Sequence, residues 1–268
     1  MRRVLSFLIC FLYASSYALE SVAAPAWKEE KGEHFIVFYM NESAKPKEVL
    51  RKAEFYYNRI ADDLGYARHS NFWSWDKRVK IFIYADGASY RASTGQPDWS
   101  HGMASYYDKE IHSIEGTADF LDSVLPHEIT HLIFRDFVGF KGEIPLWLDE
   151  GVAQWEEDQK RAEALAMMPQ IVLGGYGMTV KRLMQTDIRG EKDPVRVAAF
   201  YTQAISLVDY LVRTHGTASF TVFCRELRDG KSLEEALRGA YPGTLSNLDD
   251  LETKWIKHVM QGVGTQTG

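Results

Sequence analysis

The sequence predicts an α+β fold in which a small N-terminal lobe of mixed sheet and helix precedes a mostly helical lobe. Runs rich in β-branched and aromatic residues, which are typical of strands, lie before residue 118, and helical periodicity dominates from Asp119 onward. With 268 residues and 46% hydrophobic composition, the chain can bury one substantial core. We therefore expect a single domain at 27–268, divided into a sheet lobe at 27–117 and a helical lobe at 118–268.

The sheet lobe is predicted to contain three strands and one long helix. The predicted strands are 34–40, 79–84 and 106–114. The helix covers 47–64, where apolar residues recur at helical spacing before a stop at Gly65. A short helical stretch is expected around Ser89-Tyr90, and 94–101 is a loop because it contains glycine, proline and serine.

Seven stretches of the second lobe have apolar residues at helical spacing. The predicted helices are 123–137, 145–166, 178–185, 196–215, 217–228, 232–240 and 247–261. The residues that carry chemistry fall in the first two of these helices, directly after the sheet lobe. Because clefts between lobes are common places for active sites, we expect the site to lie between the two lobes.

The first 24 residues differ in composition from the rest. A positive start at Met1-Arg2-Arg3 precedes the apolar run 4–13, and small residues follow, which is the pattern of a cleaved signal peptide at 1–24. An uncleaved membrane anchor is the alternative, but the apolar run is shorter than the roughly 20 residues needed to span a bilayer. We expect an exported protein, periplasmic or extracellular, without stable membrane insertion after signal removal.

Charge and cysteine content exclude some functions. The formal net charge is −6, with 31 basic and 37 acidic residues, which argues against a nucleic-acid partner. Only Cys224 remains beyond the signal segment, so no internal disulfide can form. Cys224 lies in an apolar stretch and is interpreted as a small buried hydrophobic residue, with a catalytic thiol as the minor alternative.

The pentapeptide His127-Glu128-Ile129-Thr130-His131 matches the pattern H-E-x-x-H. Residues four apart lie on one face of a helix, so both imidazoles can reach the same ion, and zinc accepts neutral imidazole nitrogen. Glu128 projects from the same broad face and can act as a general base without being a ligand. Ser123 is expected to cap this helix, with Pro126 in the first turn. The alternative is a buried histidine pair beside a satisfied glutamate.

A third candidate ligand is Glu150, separated from His131 by eighteen residues. A carboxylate in the apolar helical segment 145–155 is costly unless it is paired with a cation or binds a metal. Two histidines and one glutamate leave the fourth position of zinc to water, as a catalytic site requires. Gly151 permits a close approach, which we expect to come from the first motif helix. A helix cap or a surface carboxylate is the alternative for Glu150.

H-E-x-x-H, the interval of eighteen residues and W-L-x-E-G-x-A at 147–153 resemble the gluzincins, the thermolysin-like zinc metallopeptidases. Within them, the sequence is most similar to the compact, exported peptidase MA-like group, and the specific part of the resemblance is 126–155. The resemblance implies a zincin-like fold with one Zn²⁺ per chain. It assigns zinc binding to His127, His131 and Glu150, and the role of general base to Glu128.

Tyr201 is a further candidate from the resemblance. In related zinc aminopeptidases, a tyrosine that opens a later helix donates to the developing oxyanion, a contribution worth about 3–4 kcal/mol. A core aromatic residue is the alternative. Two features depart from the family. The segment 102–106 lacks the acid with which aminopeptidases bind the substrate amine, which favours an endopeptidase. Gln154 replaces the aspartate that orients a histidine, although its amide oxygen could accept instead.

The remaining polar and aromatic residues near the motifs are interpreted as structural. Asp149 points about 100° away from Glu150 on a helix, so a salt bridge is its expected interaction. Arg135 and Asp136 are expected to be solvated. Ordinary structural roles are assigned to His101, His112, Trp73, Trp75, Trp99, Tyr106 and Tyr107. Contact with substrate is the alternative for the two histidines, and lining of a cleft is the alternative for the aromatic residues.

The sequence therefore predicts a zinc metallopeptidase that acts on a peptide or protein substrate. One alternative is a non-catalytic, zinc-stabilised binding module of the cell envelope, and another is a zinc hydrolase of a non-protein amide. Glu128 favours catalysis, because a structural zinc site needs no base and usually fills its fourth position with a protein ligand. The sequence gives no indication of the oligomeric state.

Overall fold

A computed structural model of the protein describes residues 27–65, 73, 77–98, 100–140 and 144–264. Within these ranges a mixed sheet comes first and a mostly helical part follows, which confirms the predicted α+β class. The predicted signal segment, together with Trp75 and Trp99, lies outside the described residues.

Five strands form one sheet in the order β1-β2-β3-β5-β4. Their bounds are Lys28–Lys31 (β1), Phe35–Tyr39 (β2), Val79–Tyr84 (β3), Gly102–Ser105 (β4) and Glu110–Ile114 (β5). The three central strands are parallel, and each edge strand pairs antiparallel with its neighbour. The strand predicted at 106–114 is confirmed only at 110–114, as β5, because the chain turns after Ser105 and Lys109 adopts the left-handed conformation (φ 56°). Strand β1 was not predicted, since Lys-Glu-Glu-Lys has no apolar face.

The described helices follow the predicted ones closely, with one exception. Their bounds are Pro46–Asp63 (α1), Gly87–Thr94 (α2), Leu125–Val138 (α3), Leu146–Trp155 (α4), Asp158–Leu173 (α5), Val180–Leu183 (α6), Pro194–Asp209 (α7), Thr217–Arg228 (α8), Leu233–Ala240 (α9) and Leu248–Gly264 (α10). The exception is the single helix predicted at 145–166, which is wrong. Two helices, α4 and α5, lie there, separated by Glu156 and Glu157, and Glu157 has an extended backbone. None of the described helices combines the length and the apolar content needed to cross a bilayer.

The core is continuous between the sheet and the helices. Alternate residues of β2, β3 and β5 point to one side of the sheet and are fully buried, among them Val37, Ile81 and Ile111. Helix α1 packs on this face, and α3 packs on α1. The same buried cluster extends through α4 and α7, so the motif helix α3 is held between the sheet side and the helical side of the molecule.

Gly151 lies where α4 crosses α7. A Cβ atom at this position would lie 3.1 Å from the carbonyl oxygen of Ala204 and 3.2 Å from Val208 Cγ2. Both residues belong to α7, so the expectation that Gly151 faces the motif helix is wrong. The glycine instead lets α7 pack closely against α4, next to the candidate ligand Glu150.

Cys224 is fully buried in α8. Burial raises the pKa of its thiol well above the ordinary value. A thiol that stays protonated in an apolar environment is a poor nucleophile, so the interpretation of Cys224 as a small buried hydrophobic residue is confirmed.

Candidate metal and catalytic site

The two histidines of the motif lie on one face of α3. Their Nε2 atoms are 3.1 Å apart, as residues one helical turn apart can be. Pro126 lies in the first turn of the helix, where a missing N–H costs no intrahelical bond. Ser123 does not cap α3, contrary to the prediction. It precedes the helix in a π-helical turn, Phe120–Val124, and its hydroxyl donates to Glu157 instead.

Glu150 of α4 completes the group. Its Oε2 lies 3.9 Å from His127 Nε2, and its Oε1 lies 3.8 Å from His131 Nε2. One ligand atom from each of the three residues lies within 4.8 Å of the others, so together they could hold a metal ion. Ligand atoms about 2.0–2.1 Å from a tetrahedral zinc are roughly 3.3 Å apart. Both the donor types and the spacing therefore fit zinc.

The electrostatic environment of these residues favours positive charge. Burial by itself would lower the pKa of His131. The carboxylates of Asp149, Glu128 and Glu150 outweigh this effect and raise the pKa to about 9. A site that holds a proton so firmly when no metal is present is one in which the surrounding charges stabilise a cation.

A carboxylate holds the far nitrogen of each imidazole. His131 donates from Nδ1 to Asp149 Oδ1 at 3.0 Å, and His127 donates from Nδ1 to Glu157 Oε1 at 2.8 Å. In the neutral imidazole, each hydrogen bond places the single proton on Nδ1 and leaves Nε2 available to a metal. The predicted salt bridging of Asp149 is confirmed, with His131 and, at 4.0 Å, with Arg135 Nη2, and its hydrogen bond to His131 adds an orienting role that the sequence did not predict.

Glu157 occupies the role that was considered for Gln154. The side-chain nitrogen of Gln154 donates to Glu150 Oε2 at 3.4 Å, so Gln154 orients no histidine. Glu157 is almost fully buried at the break between α4 and α5. Burial raises its pKa, but hydrogen bonds from His127, Ser123 and Lys160 outweigh this effect and keep the carboxylate ionised. The sequence signal for this residue was the pair of glutamates that follows the apolar helix.

A cavity of about 390 Å³ opens over the three candidate ligands. One wall is the edge strand β4, and the other is formed by α3 and α4, so the cavity lies between the sheet side and the helical side as expected. Glu128 lines it. A Cβ atom at Gly102 would lie 2.4 Å from Val124 Cγ1 and 3.8 Å from Glu128 Oε1, so the glycine lets β4 approach α3 closely. The carboxylate of Glu128 therefore lines the same cavity as the three candidate ligands without being one of them.

The family model of the peptidase MA superfamily matches residues 68–261. This range covers more than half of the chain and includes every candidate site residue. The chain belongs to the peptidase MA superfamily. No curated protein matches the sequence. Membership in the peptidase MA superfamily indicates a metallopeptidase, and a group of residues able to hold a metal agrees with that class.

Tyr201 lies in the first half of α7, the helix that packs on α4. It is partly buried against the core. Burial raises the pKa of its hydroxyl, and the negative charges of Glu150 and Asp187 raise it further. The hydroxyl therefore stays protonated, as a hydrogen-bond donor must, while its contact with a substrate stays a prediction for this member of the peptidase MA superfamily.

Two of the residues interpreted as structural line the cavity. Tyr106 and Arg135 both face the candidate ligands, and the guanidinium of Arg135 lies 5.2 Å from the centre of the Tyr106 ring. The prediction that Arg135 and Asp136 are solvated is only partly confirmed, because both side chains are half-buried, at 23% and 16% exposed. Asp136 accepts a hydrogen bond from Trp73 Nε1 at 2.7 Å. The contact of Arg135 with Tyr106 joins the β4–β5 turn to α3, which the sequence pattern could not show.

The structural interpretation of His112 is confirmed. Its ring stacks on Phe82 at 5.0 Å, and the hydroxyl of Tyr84 lies 3.0 Å from its Nδ1. His101 is exposed, and its carbonyl accepts from Ser113. Neither histidine is among the residues that line the candidate metal cavity.

The metal-free protein should show the electrostatics of the site directly. We expect His131 to titrate near pH 9, far above the 6.5 of an ordinary histidine. Because the pKa is raised on folding, the protonated histidine stabilises the metal-free fold fully below about pH 6.5, and this contribution is lost as the pH rises through about 9. Asp149→Asn should move the midpoint down toward 6.5, as measured by NMR. An unchanged midpoint in that variant would contradict the assigned cause.

Proposed function

We propose that the protein is an exported, zinc-dependent peptidase of the gluzincin type that hydrolyses peptide bonds, with a preference for bonds within a chain. The observation that carries this proposal is the convergence of His127, His131 and Glu150 beside Glu128 in one open cavity. A purely structural zinc site would gain nothing from Glu128. The segment of β4 that lines the cavity offers no carboxylate to bind a substrate amine, which supports the endopeptidase preference.

Export is inferred from the signal-like segment at 1–24, and one domain over 27–268 is inferred from the continuous core. Fractionation of cells that express the full chain tests export. Recovery of only the unprocessed chain from the cytoplasm would contradict it.

The proposed mechanism assigns one task to each residue. His127, His131 and Glu150 would hold zinc, which supplies Lewis-acid polarisation of a carbonyl and lowers the pKa of water toward 7. Glu128 accepts a proton from the attacking water as the water oxygen bonds to the carbonyl carbon. As the carbon–nitrogen bond breaks, Glu128 passes this proton to the leaving amine. Asp149 and Glu157 keep the two imidazoles in the productive orientation.

The first test combines metal content and turnover. We expect the purified protein to contain about one zinc per chain and to cleave casein in a chelator-sensitive way. Glu128→Gln should retain zinc and lose turnover by a factor of about 10² or more, because the base is removed and the ligands remain. Glu163→Gln, an exposed glutamate of α5, is the matched control and should behave like the wild type. Full activity of zinc-free protein would contradict the proposal.

Tyr201 is proposed to donate a hydrogen bond to the carbonyl oxygen as negative charge develops on it. Tyr201→Phe should lower kcat by about 10²-fold, with zinc content and KM little changed, because the interaction strengthens in the transition state. Steady-state kinetics with a fluorogenic peptide measures both constants. An unchanged kcat would mean that Tyr201 only packs against the core.

Glu157 is proposed as a positioning residue for His127. Glu157→Gln should weaken zinc binding about 10–100-fold, because the hydrogen bond to Nδ1 loses its charged acceptor. Glu156→Gln is the matched control: it is the neighbouring buried glutamate, it contacts no histidine, and burial followed by the charge of Asp63 raises its pKa to about 8. Competition with a chromophoric chelator measures both affinities. Equal affinities for the two variants would remove the role of Glu157.

A further inference from the structure

Two buried hydroxyl groups connect α2 to the strand that forms one wall of the metal cavity. The phenol oxygen of Tyr90 lies 3.0 Å from Ser100 Oγ, and Ser100 Oγ lies 3.1 Å from the carbonyl oxygen of Gly102, the first residue of β4. Tyr90 is fully buried, and Ser100 is 7% exposed. Because a carbonyl oxygen can only accept, Ser100 donates to Gly102, and its own oxygen then accepts from Tyr90. The two hydroxyls therefore form one chain of hydrogen bonds that ends on the backbone of β4.

The local sequence holds Tyr90 in place. Asp86 caps α2 by accepting from the backbone N–H of Ser89 at 2.8 Å, and Gly95 ends the helix in the left-handed conformation (φ 70°). The ring of Tyr84 packs edge-on against the ring of Tyr90, with the ring centres 5.8 Å apart. This short helix is therefore fixed at both ends and through its buried tyrosine.

The peptide carbonyl that precedes Gly102 is held from the sheet. Ser113 of β5 is fully buried, and its hydroxyl donates to the carbonyl oxygen of His101 at 2.8 Å. The strand pairing of Gly102 with Ser113 already joins β4 to β5. Buried serines therefore hold two consecutive carbonyls in addition to this pairing, and the added constraint lies where β4 begins.

Gly102 brings β4 close to the candidate general base. A Cβ atom at this position would collide with Val124 Cγ1 and would lie 3.8 Å from Glu128 Oε1. The charge of Glu128 also reaches Tyr90. Burial raises the pKa of the Tyr90 hydroxyl, the hydrogen bond with Ser100 lowers it, and the charge of Glu128 raises it, with a net rise. The hydroxyl of Tyr90 therefore stays protonated, as a donor must.

We propose that Tyr90 and Ser100 are positioning residues that act through Gly102. Their hydrogen bonds hold the start of β4 against Glu128 and so keep the general base oriented into the metal cavity. Neither hydroxyl residue lines the cavity, so their influence passes through the backbone of β4. A displacement of about 1 Å at a reacting group can cost about 10²-fold in rate, so a small shift of Gly102 should change turnover. This inference rests on the proposed peptidase function.

Steady-state kinetics of the zinc-loaded protein tests this role. Ser100→Ala should lower kcat about tenfold or more and leave the zinc content unchanged, because the hydrogen bond to Gly102 is lost and the ligands remain. Tyr90→Phe should lower kcat less, since Ser100 still donates. Thr221→Val is the matched control: Thr221 is 8% exposed and donates to the carbonyl oxygen of Leu64 at 3.1 Å, and neither residue lines the metal cavity. It should lose stability and keep the kcat of the wild type.

The double variant Tyr90→Phe/Ser100→Ala separates positioning from stability. Ser100→Ala alone leaves the buried Tyr90 hydroxyl without its acceptor, which is costly, whereas removal of both partners can be nearly neutral. We therefore expect the double variant to recover most of the lost Tm but none of the lost kcat. In the Glu128→Gln background, Ser100→Ala should change the residual turnover by less than about twofold, because residues that act as a unit are not additive.

NMR of the metal-free protein tests the geometry without turnover. The nuclear Overhauser effect between the α-protons of Gly102 and the methyl protons of Val124 should be strong in the wild type and in Thr221→Val. It should weaken in Ser100→Ala and in the double variant. Should Ser100→Ala not fold, the double variant decides both the kinetic and the NMR test. Failure of the peptidase function is observed separately, as absent zinc or as no cleavage of casein by the wild-type protein.

Four outcomes would overturn the positioning role. These are a wild-type kcat in Ser100→Ala, an unchanged Overhauser effect between Gly102 and Val124 in that variant, and a full tenfold loss of residual turnover when Ser100→Ala is added to Glu128→Gln. The fourth is a recovery of kcat together with Tm in the double variant, which would mean that the two hydroxyls only stabilise the fold.

Discussion

The side chains of His127, His131 and Glu150 converge at the contact between α3 and α4, and together they favour a bound cation. Two imidazole nitrogens face each other at 3.1 Å, and the Glu150 carboxylate lies within 4 Å of both. Without a cation, partly buried lone pairs and a negative charge would face one another at a substantial cost in free energy. The metal-free protein meets this requirement with a proton on His131, and we propose that zinc meets it in the active protein. The packing of α3 on α1 and of α4 on α7 maintains the contact.

The break between α4 and α5 places two buried carboxylates close to the site. It separates the apolar helix α4 from α5, and the two adjacent glutamates Glu156 and Glu157 are buried there. One of them, Glu156, pairs with Arg59 of α1 and still has a buried oxygen, Oε1, without a hydrogen-bond partner. The other, Glu157, reaches the back of His127. Glu157 thus gives the first histidine of the motif a charged acceptor from the start of α5.

The features that could be predicted from the sequence are those that depend on neighbouring residues of the chain. The spacing of His127 and His131 follows from helical geometry, and Glu150 stood out as a carboxylate in an apolar segment, so the metal group and the α+β class were predictable. The partners of Asp149, Glu157 and Arg135 were not, because each contact joins residues from different elements. The helix break was missed because no glycine or proline marks it in the sequence, and only the tertiary partners of the two glutamates show why the helix stops.

The local environment of the metal tests the central claim most directly. X-ray absorption at the zinc edge, measured on the purified wild-type protein, reports the type, number and distance of the ligands. The account predicts two imidazole nitrogens at about 2.0–2.1 Å with the remaining ligands oxygen, and the loss of one imidazole in either His127→Ala or His131→Ala. A spectrum with sulfur ligands, or one that neither substitution alters, would contradict it.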